Sequence, residues 1–458
     1  MRTTLKNLAT ALLAGWILSA VGSGIMGQDR NLLERLEQAA TLIRDNRIKE
    51  AEKQLNSVLI TTPSEPTALN LMGTIRAKQG RLNEAEVLFL RALRSDNQLT
   101  SARMNLAYLY LLKREPEKTI AQLKQVLSLD PDHAEAAEKL ADLLFSQGHF
   151  DECISFIEKQ RLSRTIPASS LVILGDAYLA KNNLQEAEDR YLLALDGRLE
   201  NAGALLGLAQ ISRLKGEARE ASVYVMRVST LTADSKSPEL LYRFALIALK
   251  VGMIVEAKSA LERSLVLRPN EPSYILALGI AWLKRGDLFE AENTFRRLIE
   301  LQPNNSQAQL HLGYVLLNQK KYGEARVWLE KSARTSPVIP EVFYYLGLVA
   351  QEQKDDARAI ELFEKTVQKL PSYAHARIAL GSSYMKLKDY TRAKQELETA
   401  VKLDPDEPTA HYNLALLYAR LKDPARAREE MSIVEKLKAK GIATDGGIVV
   451  LPPTSPHR

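Results

Sequence analysis

Cysteine is nearly absent: Cys153 is the only one in 458 residues. No intramolecular disulfide can form. No cysteine lies near the end of the apolar N-terminal stretch, which excludes attachment as a bacterial-type lipoprotein. The six histidines are His133, His149, His311, His375, His411 and His457. No two stand at zinc-ligand spacing, so no metal is expected. Catalytic signatures are missing too: no H-E-x-x-H, no phosphate-cradling glycine loop ending in GK[ST], no G-x-S-x-G elbow. Catalytic residues and cofactors are therefore expected to be none. Net charge is only +6, and acidic and basic residues are interspersed without a long basic run. Nothing in the charge suggests a nucleic acid partner. Beyond residue 28 no stretch is apolar for long enough to cross a bilayer.

The first 28 residues have a different character. Arg2 and Lys6 precede an uncharged stretch with the apolar centre Leu8 to Val21, followed by the small residues Ala20, Gly22, Ser23, Gly24 and Gly27. A charged region, an apolar region and a small-residue zone read as a secretory signal peptide. The competing reading is a retained membrane anchor, which four glycines dilute. Either way the rest of the chain is expected to be exported: periplasmic or secreted, or anchored and facing the periplasm.

What the chain does contain is a period of 34 residues. From Ala51 it runs Ala85, Thr119, Cys153, Ala187, Ala221; after two extra residues it resumes as Ala257, Ala291, Ala325, Ala359, Ala393, Ala427. Twelve residues upstream of each stands Gly or Ala without exception, from Ala39 and Gly73 to Gly381 and Ala415. Two small residues per period at fixed offset predict two closely crossing helices, repeated twelve times. Numbering each repeat from 1, so that these slots are positions 8 and 20, the repeats run 32–235 for the first six and 238–441 for the last six. Residues 236–237 are the insertion. Apolar residues fall at helical spacing in both halves of each repeat. Position 32 is often proline (Pro63, Pro131, Pro269, Pro303, Pro337, Pro371, Pro405), which stops the second helix. Cys153 occupies a position-20 slot and is read as a buried small residue, not a nucleophile. A joint or change of curvature is expected near 234–238, and the last seventeen residues are expected to form a loose tail.

This pattern resembles the tetratricopeptide repeat family over residues 32–441. Its Leu-Gly-x-x-Tyr element appears as Leu174-Gly175-Asp-Ala-Tyr178 and Leu380-Gly381-Ser-Ser-Tyr384, and its Ala-x-x-x-Phe element as Ala291 to Phe295 and Ala359 to Phe363. The resemblance implies an all-α fold, a right-handed α-α superhelical solenoid of about twelve helix-turn-helix repeats. It also implies that first helices line an inner groove, with positions 2, 5, 9, 12 and 13 facing in; these form one stripe of a helix. In repeats seven to twelve, positions 5 and 9 read Tyr242/Leu246, Leu276/Ile280, Leu310/Tyr314, Tyr344/Leu348, Ile378/Ser382 and Tyr412/Leu416. Position 13 adds Lys250, Lys284, Asn318, Lys386 and Arg420. This is an apolar, tyrosine-rich strip beside basic residues, suited to a peptide with apolar anchors. The alternative is that these side chains pack on neighbouring first helices. Some relatives clamp a C-terminal carboxylate with Lys at position 5 and Asn at position 9; here Asn70 and Thr74 come nearest and do not match. Asn105 and Asn413 at position 6 are too few for an asparagine ladder.

The expected function is a non-catalytic scaffold in the cell envelope that binds a protein or peptide in its groove. The alternative is a targeting or regulatory subunit of an envelope enzyme or secretion system, such as a glycosyltransferase, polysaccharide export or pilus assembly. Membrane contact is expected only through a retained N-terminal segment, and the apolar end of the array leaves self-association open.

Overall fold

In the computed structural model the described residues are 27–163, 166–195, 200–336 and 339–439. Residues 1–26, where the signal peptide is expected, and the last seventeen residues, expected as a tail, lie outside them. The chain divides into two compact bodies, with the boundary between Ile211 and Ser212. The division precedes the inserted pair 236–237.

Among the described residues every regular element is a helix, and each repeat holds two. The first six repeats comprise α1 (Gly27–Arg44), α2 (Ile48–Thr61), α3 (Pro66–Lys78), α4 (Leu82–Ser95), α5 (Thr100–Lys113), α6 (Pro116–Leu129), α7 (Ala134–Ser146), α8 (Phe150–Ser163), α9 (Ala168–Ala180), α10 (Leu184–Leu195), α11 (Ala202–Leu214) and α12 (Ala218–Leu231). The remaining six comprise α13 (Pro238–Val251), α14 (Ile254–Leu267), α15 (Pro272–Arg285), α16 (Leu288–Leu301), α17 (Ser306–Asn318), α18 (Tyr322–Thr335), α19 (Glu341–Glu352), α20 (Asp356–Lys369), α21 (Ala374–Lys386), α22 (Tyr390–Leu403), α23 (Pro408–Arg420) and α24 (Pro424–Ala439). The fold is an all-α repeat stack, as the period predicts.

The turn between the two helices is the same in every repeat. Position 15 has φ between 59° and 90° all twelve times: five glycines, Asn46, Asn182, Arg114 and four lysines, Lys320, Lys354, Lys388 and Lys422. The next amide reaches back to the carbonyl of position 11, as in Arg81 to Arg76 at 2.9 Å and Asp389 to Tyr384 at 3.0 Å. This left-handed residue with a six-to-one bond satisfies the carbonyls that a helix end leaves free.

Packing inside the repeat explains the small slots. The side chain at position 24 points across at position 8. A Cβ on Gly73 would stand 2.6 Å from the Phe89 ring, and one on Gly175 would stand 2.6 Å from the Tyr191 ring. Phe295 and Phe363 face Gly279 and Gly347 in the same way. All four aromatic residues at position 24 face glycine; where position 8 is alanine, position 24 is never aromatic, as with Leu55, Val225 and Met431. Position-20 alanines other than the half-buried Ala427 are wholly buried, and so is Cys153.

Repeats are tied to one another at the closing turn. The carbonyl of position 32 is taken by position 26 of the next repeat, as in Arg91 to Pro63 at 3.2 Å. Position 4 takes it as well, as in Gln309 to Pro303 at 2.7 Å. The inserted pair is spanned without a break: Arg263 donates to the Thr232 carbonyl at 2.8 Å and to that of Ser235 at 3.2 Å. Ser237 caps α13 through the Leu240 amide at 3.2 Å. Within each body successive first helices pack on one another, α1 on α3 and α21 on α23 for example. That contact puts the first helices on the inner side of each stack.

Candidate protein-binding surface

The first-helix stripe predicted as a groove divides into buried and open parts. Leu310 is wholly buried, and Ile280, Tyr314, Tyr344 and Ile378 are buried too. Tyr344 sits in an aromatic cluster, with ring centroids 5.4 Å from Tyr345, 5.2 Å from Tyr373 and 5.9 Å from Phe363; Tyr314 lies 5.3 Å from Tyr345. Burial pushes the Tyr344 hydroxyl well above the usual tyrosine range. These side chains belong to the core between repeats. Tyr242, Leu246, Leu276 and Leu348 are half-buried, and Tyr242 packs on Tyr274 at 4.7 Å. Tyr412 is 44% and Leu416 37% exposed, the only apolar residues of the predicted strip that are open to this degree.

Three of the position-13 cations, Lys78, Lys386 and Arg420, bond to neighbouring helices. Lys78 donates from Nζ to the Ile43 carbonyl at 3.1 Å, and Arg420 from Nη1 to the Met385 carbonyl at 3.4 Å. Each reaches the last turn of the preceding first helix, where free carbonyls and the helix dipole favour a positive charge. Lys386 faces Asp356 at 3.6 Å. Asn318 bonds the Tyr314 carbonyl at 2.9 Å. Lys250 and Lys284 are exposed; burial of its stem and then the nearby Arg213 push the Lys250 ammonium below the usual range.

In the N-terminal body the inner polar residues bond to each other. Asn105 donates to Asn70 at 2.9 Å and to Thr74 at 3.3 Å, and Asn70 donates to Ser101 at 3.2 Å. Asn70 and Thr74 are buried. The pair nearest to a carboxylate clamp is thus consumed between repeats two and three. Asp176 accepts from the Tyr191 hydroxyl at 2.6 Å. Asn413, the other position-6 asparagine, donates to the Thr409 carbonyl at 2.8 Å.

A patch that the sequence reading missed adjoins Leu416. Ala415, Leu416 and Ala419 of α23 and Pro424, Ala427 and Met431 of α24 line one open depression, with Lys422 and Arg428 at its margin. Met431 is 36% exposed, whereas position 24 is wholly buried in Leu55, Phe89, Phe295 and Leu397. Only neighbouring structure distinguishes Met431 from those residues, because its place in the period is the same.

Family profiles described as tetratricopeptide repeat match residues 36–99, 276–338 and 378–440, and another of the same description matches 341–373. The chain belongs to the tetratricopeptide repeat family. A profile described as anaphase-promoting complex, cyclosome, subunit 3 matches residues 78–160. Among curated proteins, "Cellulose synthase operon protein C" of Xanthomonas axonopodis pv. citri (strain 306) is 27% identical over 232 residues; the match covers 49% of this chain and 14% of that protein. The chain therefore spans a small part of that relative's length. Similar solved structures include Pseudomonas aeruginosa pilF, with 21% identity and TM-score 0.40, covering 44% of this chain and 92% of that one. The APC/C hetero-tetramer Cut9-Hcn1 gives 16% identity and TM-score 0.45, covering 90% and 95%. Yeast Tom70 gives 16% and 0.44, covering 90% and 97%.

Two residues with chemical potential prove to be packed parts of the tetratricopeptide core. Cys153 Sγ lies 3.6 Å from the Ala141 carbonyl, and its thiol is pushed up to about 11 by burial, then by Asp142 and Asp176. A thiol so placed is not an activated nucleophile. His311 is buried, stacks on Phe295 with centroids 5.3 Å apart, and is pushed down to about 4 by burial. Among the described residues no three His, Cys, Asp or Glu side chains converge as a metal site. No described helix is long and apolar enough to cross a membrane.

Proposed function

We propose that this tetratricopeptide protein is a scaffold that binds a protein or peptide through apolar side chains on repeat twelve and the adjoining inner strip. The observation that carries this reading is the exposure of Tyr412 and Leu416. The position-5 and position-9 residues of repeats nine to eleven are largely packed away; these two remain open, and Leu416 shares a depression with Met431. A large aromatic residue with a polar tip next to aliphatic side chains suits a buried anchor contact. The half-buried Tyr242, Leu246, Leu276 and Leu348 extend the strip, with Lys250 and Lys284 beside it.

The test is a photo-crosslinking residue at position 416, compared with one at the exposed second-helix position 266. Crosslinks to a discrete partner from 416 and none from 266 support the reading. Equal labelling from both would overturn it.

The same reading places the protein in the cell envelope, as a scaffold or as a non-catalytic subunit of an export or assembly system. Its support is the composition of residues 1–28 and the similarity to a cellulose synthase operon protein. Cell fractionation with mass spectrometry of the mature N-terminus tests it; a cytoplasmic protein retaining Met1 would overturn the envelope assignment.

A further inference from the structure

Repeats eleven and twelve carry the same part-buried bridge, built once with arginine and once with histidine. In repeat eleven Arg377, at position 4 on α21, donates from Nη1 to Glu396 Oε2 of α22 at 2.6 Å and from Nε to the Pro371 carbonyl at 2.9 Å. In repeat twelve His411, at position 4 on α23, places Nδ1 2.6 Å from Glu430 Oε2 of α24 and Nε2 3.0 Å from the Pro405 carbonyl. The spacings are identical: position 4, position 23 of the same repeat, and position 32 of the repeat before. The His411 side chain is buried at 5% exposed, and the other three are half-buried, at 15% for Arg377, 16% for Glu396 and 18% for Glu430. Repeats two, seven and ten hold apolar pairs at the two positions instead: Leu69 with Leu88, Leu241 with Ala260, Phe343 with Leu362.

The difference lies in the proton. A guanidinium is always charged and has donors for both acceptors. An imidazole has two donors only when protonated. A carbonyl can only accept, so Nε2 must carry hydrogen to bond Pro405. Nδ1 then bonds Glu430 only if one further proton sits between ring and carboxylate. Remove that proton and a ring lone pair faces either the carboxylate or the carbonyl in a buried place, an unmade bond that costs stability.

We infer that His411 and Glu430 form a proton-dependent latch, which fastens repeat twelve to itself and to repeat eleven at acid pH and loosens as the imidazole deprotonates. The groups around it are these. On α24, Glu430 is bonded to the ring, while Arg426 lies over the Tyr418 ring at 4.6 Å and is paired with Asp423. On α22, Glu398 accepts from the Tyr418 hydroxyl at 3.0 Å. Ahead of α23, Glu407 caps the Thr409 amide at 2.9 Å and faces His375 of α21 at 3.6 Å. The latch joins α23 to α24, and these two helices line the open patch of Leu416 and Met431. Its state therefore sets how firmly that surface is held.

Amide exchange on the full chain tests the latch, with labelling times corrected for the intrinsic pH dependence. Peptides spanning 408–439 should lose protection as pH rises from about 5.5 to 8, because closing takes up a proton. His411→Arg should keep the protection and remove this dependence. Arg377→His should transfer it to peptides spanning 374–403. A wild-type response that is flat, or that persists in His411→Arg, would overturn the inference. As a second readout, nitrogen-15 spectra of histidine-labelled protein should show both His411 ring nitrogens bearing hydrogen at pH 5.5; a neutral imidazole there would overturn it as well.

Discussion

Phe89 and Gly73 are a matched pair: the ring of the second helix occupies the space where a Cβ on the first would lie, 2.6 Å away. The same match recurs as Tyr191 with Gly175, Phe295 with Gly279 and Phe363 with Gly347. An aromatic side chain at position 24 thus goes with glycine at position 8, whereas leucine there goes with either glycine, as at Gly313 and Gly381, or alanine. Interiors packed to crystal density respond to a single methyl in this way. Gly73→Ala is expected to destabilise the N-terminal body by about 1–3 kcal/mol in chemical denaturation. Gly73→Ala with Phe89→Leu, which copies Ala107 with Leu123, should recover part of that loss. Simple additivity of the two single changes would refute the match.

The turn residues offer a gain. Lys388 holds φ at 62° where Gly286 holds 87°. A side chain in the left-handed region costs roughly 1–2 kcal/mol, partly offset by the entropy glycine loses on folding. Lys388→Gly should therefore stabilise the C-terminal body by about 0.5–1 kcal/mol, and Gly286→Ala should destabilise it by about 1 kcal/mol. Thermal melts of both variants check the opposite signs.

His311 carries a pH dependence that follows from its burial. Burial lowers its folded value to about 4, below the ordinary value near 6.5 of an unfolded chain. The unfolded state then binds more protons between these values, so stability is full above about pH 6.5 and falls as pH drops towards 4. The loss should approach about 3 kcal/mol, from a shift of two to three units at 1.36 kcal/mol each. His311→Phe, facing Phe295, should flatten that limb in urea titrations at pH 4.5 and 7.

Open and buried members of the predicted strip should part in experiment. Tyr412→Ser and Leu416→Ser are expected to weaken partner binding at least about tenfold each while leaving the melting temperature within a degree or two. Tyr344→Ser, inside the aromatic cluster, should cost about 3 kcal/mol of stability. Calorimetry of binding beside a melt of each variant separates the two classes.

The repeat was fully legible in the sequence because its determinants are local and recur: the small slots, the turn after the first helix, the proline at the close. Each lies within 34 residues of its partner, so one repeat predicts the next. The fate of Cys153 followed from the same register. The candidate surface was legible only as a stripe. Periodicity places Leu310, Tyr344 and Tyr412 at the same position of the helix, yet the first two are buried and the third is open. Burial at those positions depends on what the neighbouring repeats contribute, and helical spacing does not encode that. Two of the position-13 cations, Lys78 and Arg420, rest on carbonyls thirty-five residues back, at Ile43 and Met385, which their place in the period does not reveal. What the sequence determined by itself was the all-α repeat, its register and its turns. What only the tertiary structure decided was which side chains of that register remain free, and that His411 bridges the same two partners as Arg377 does in the neighbouring repeat, because both depend on contacts between elements that the period aligns but does not describe.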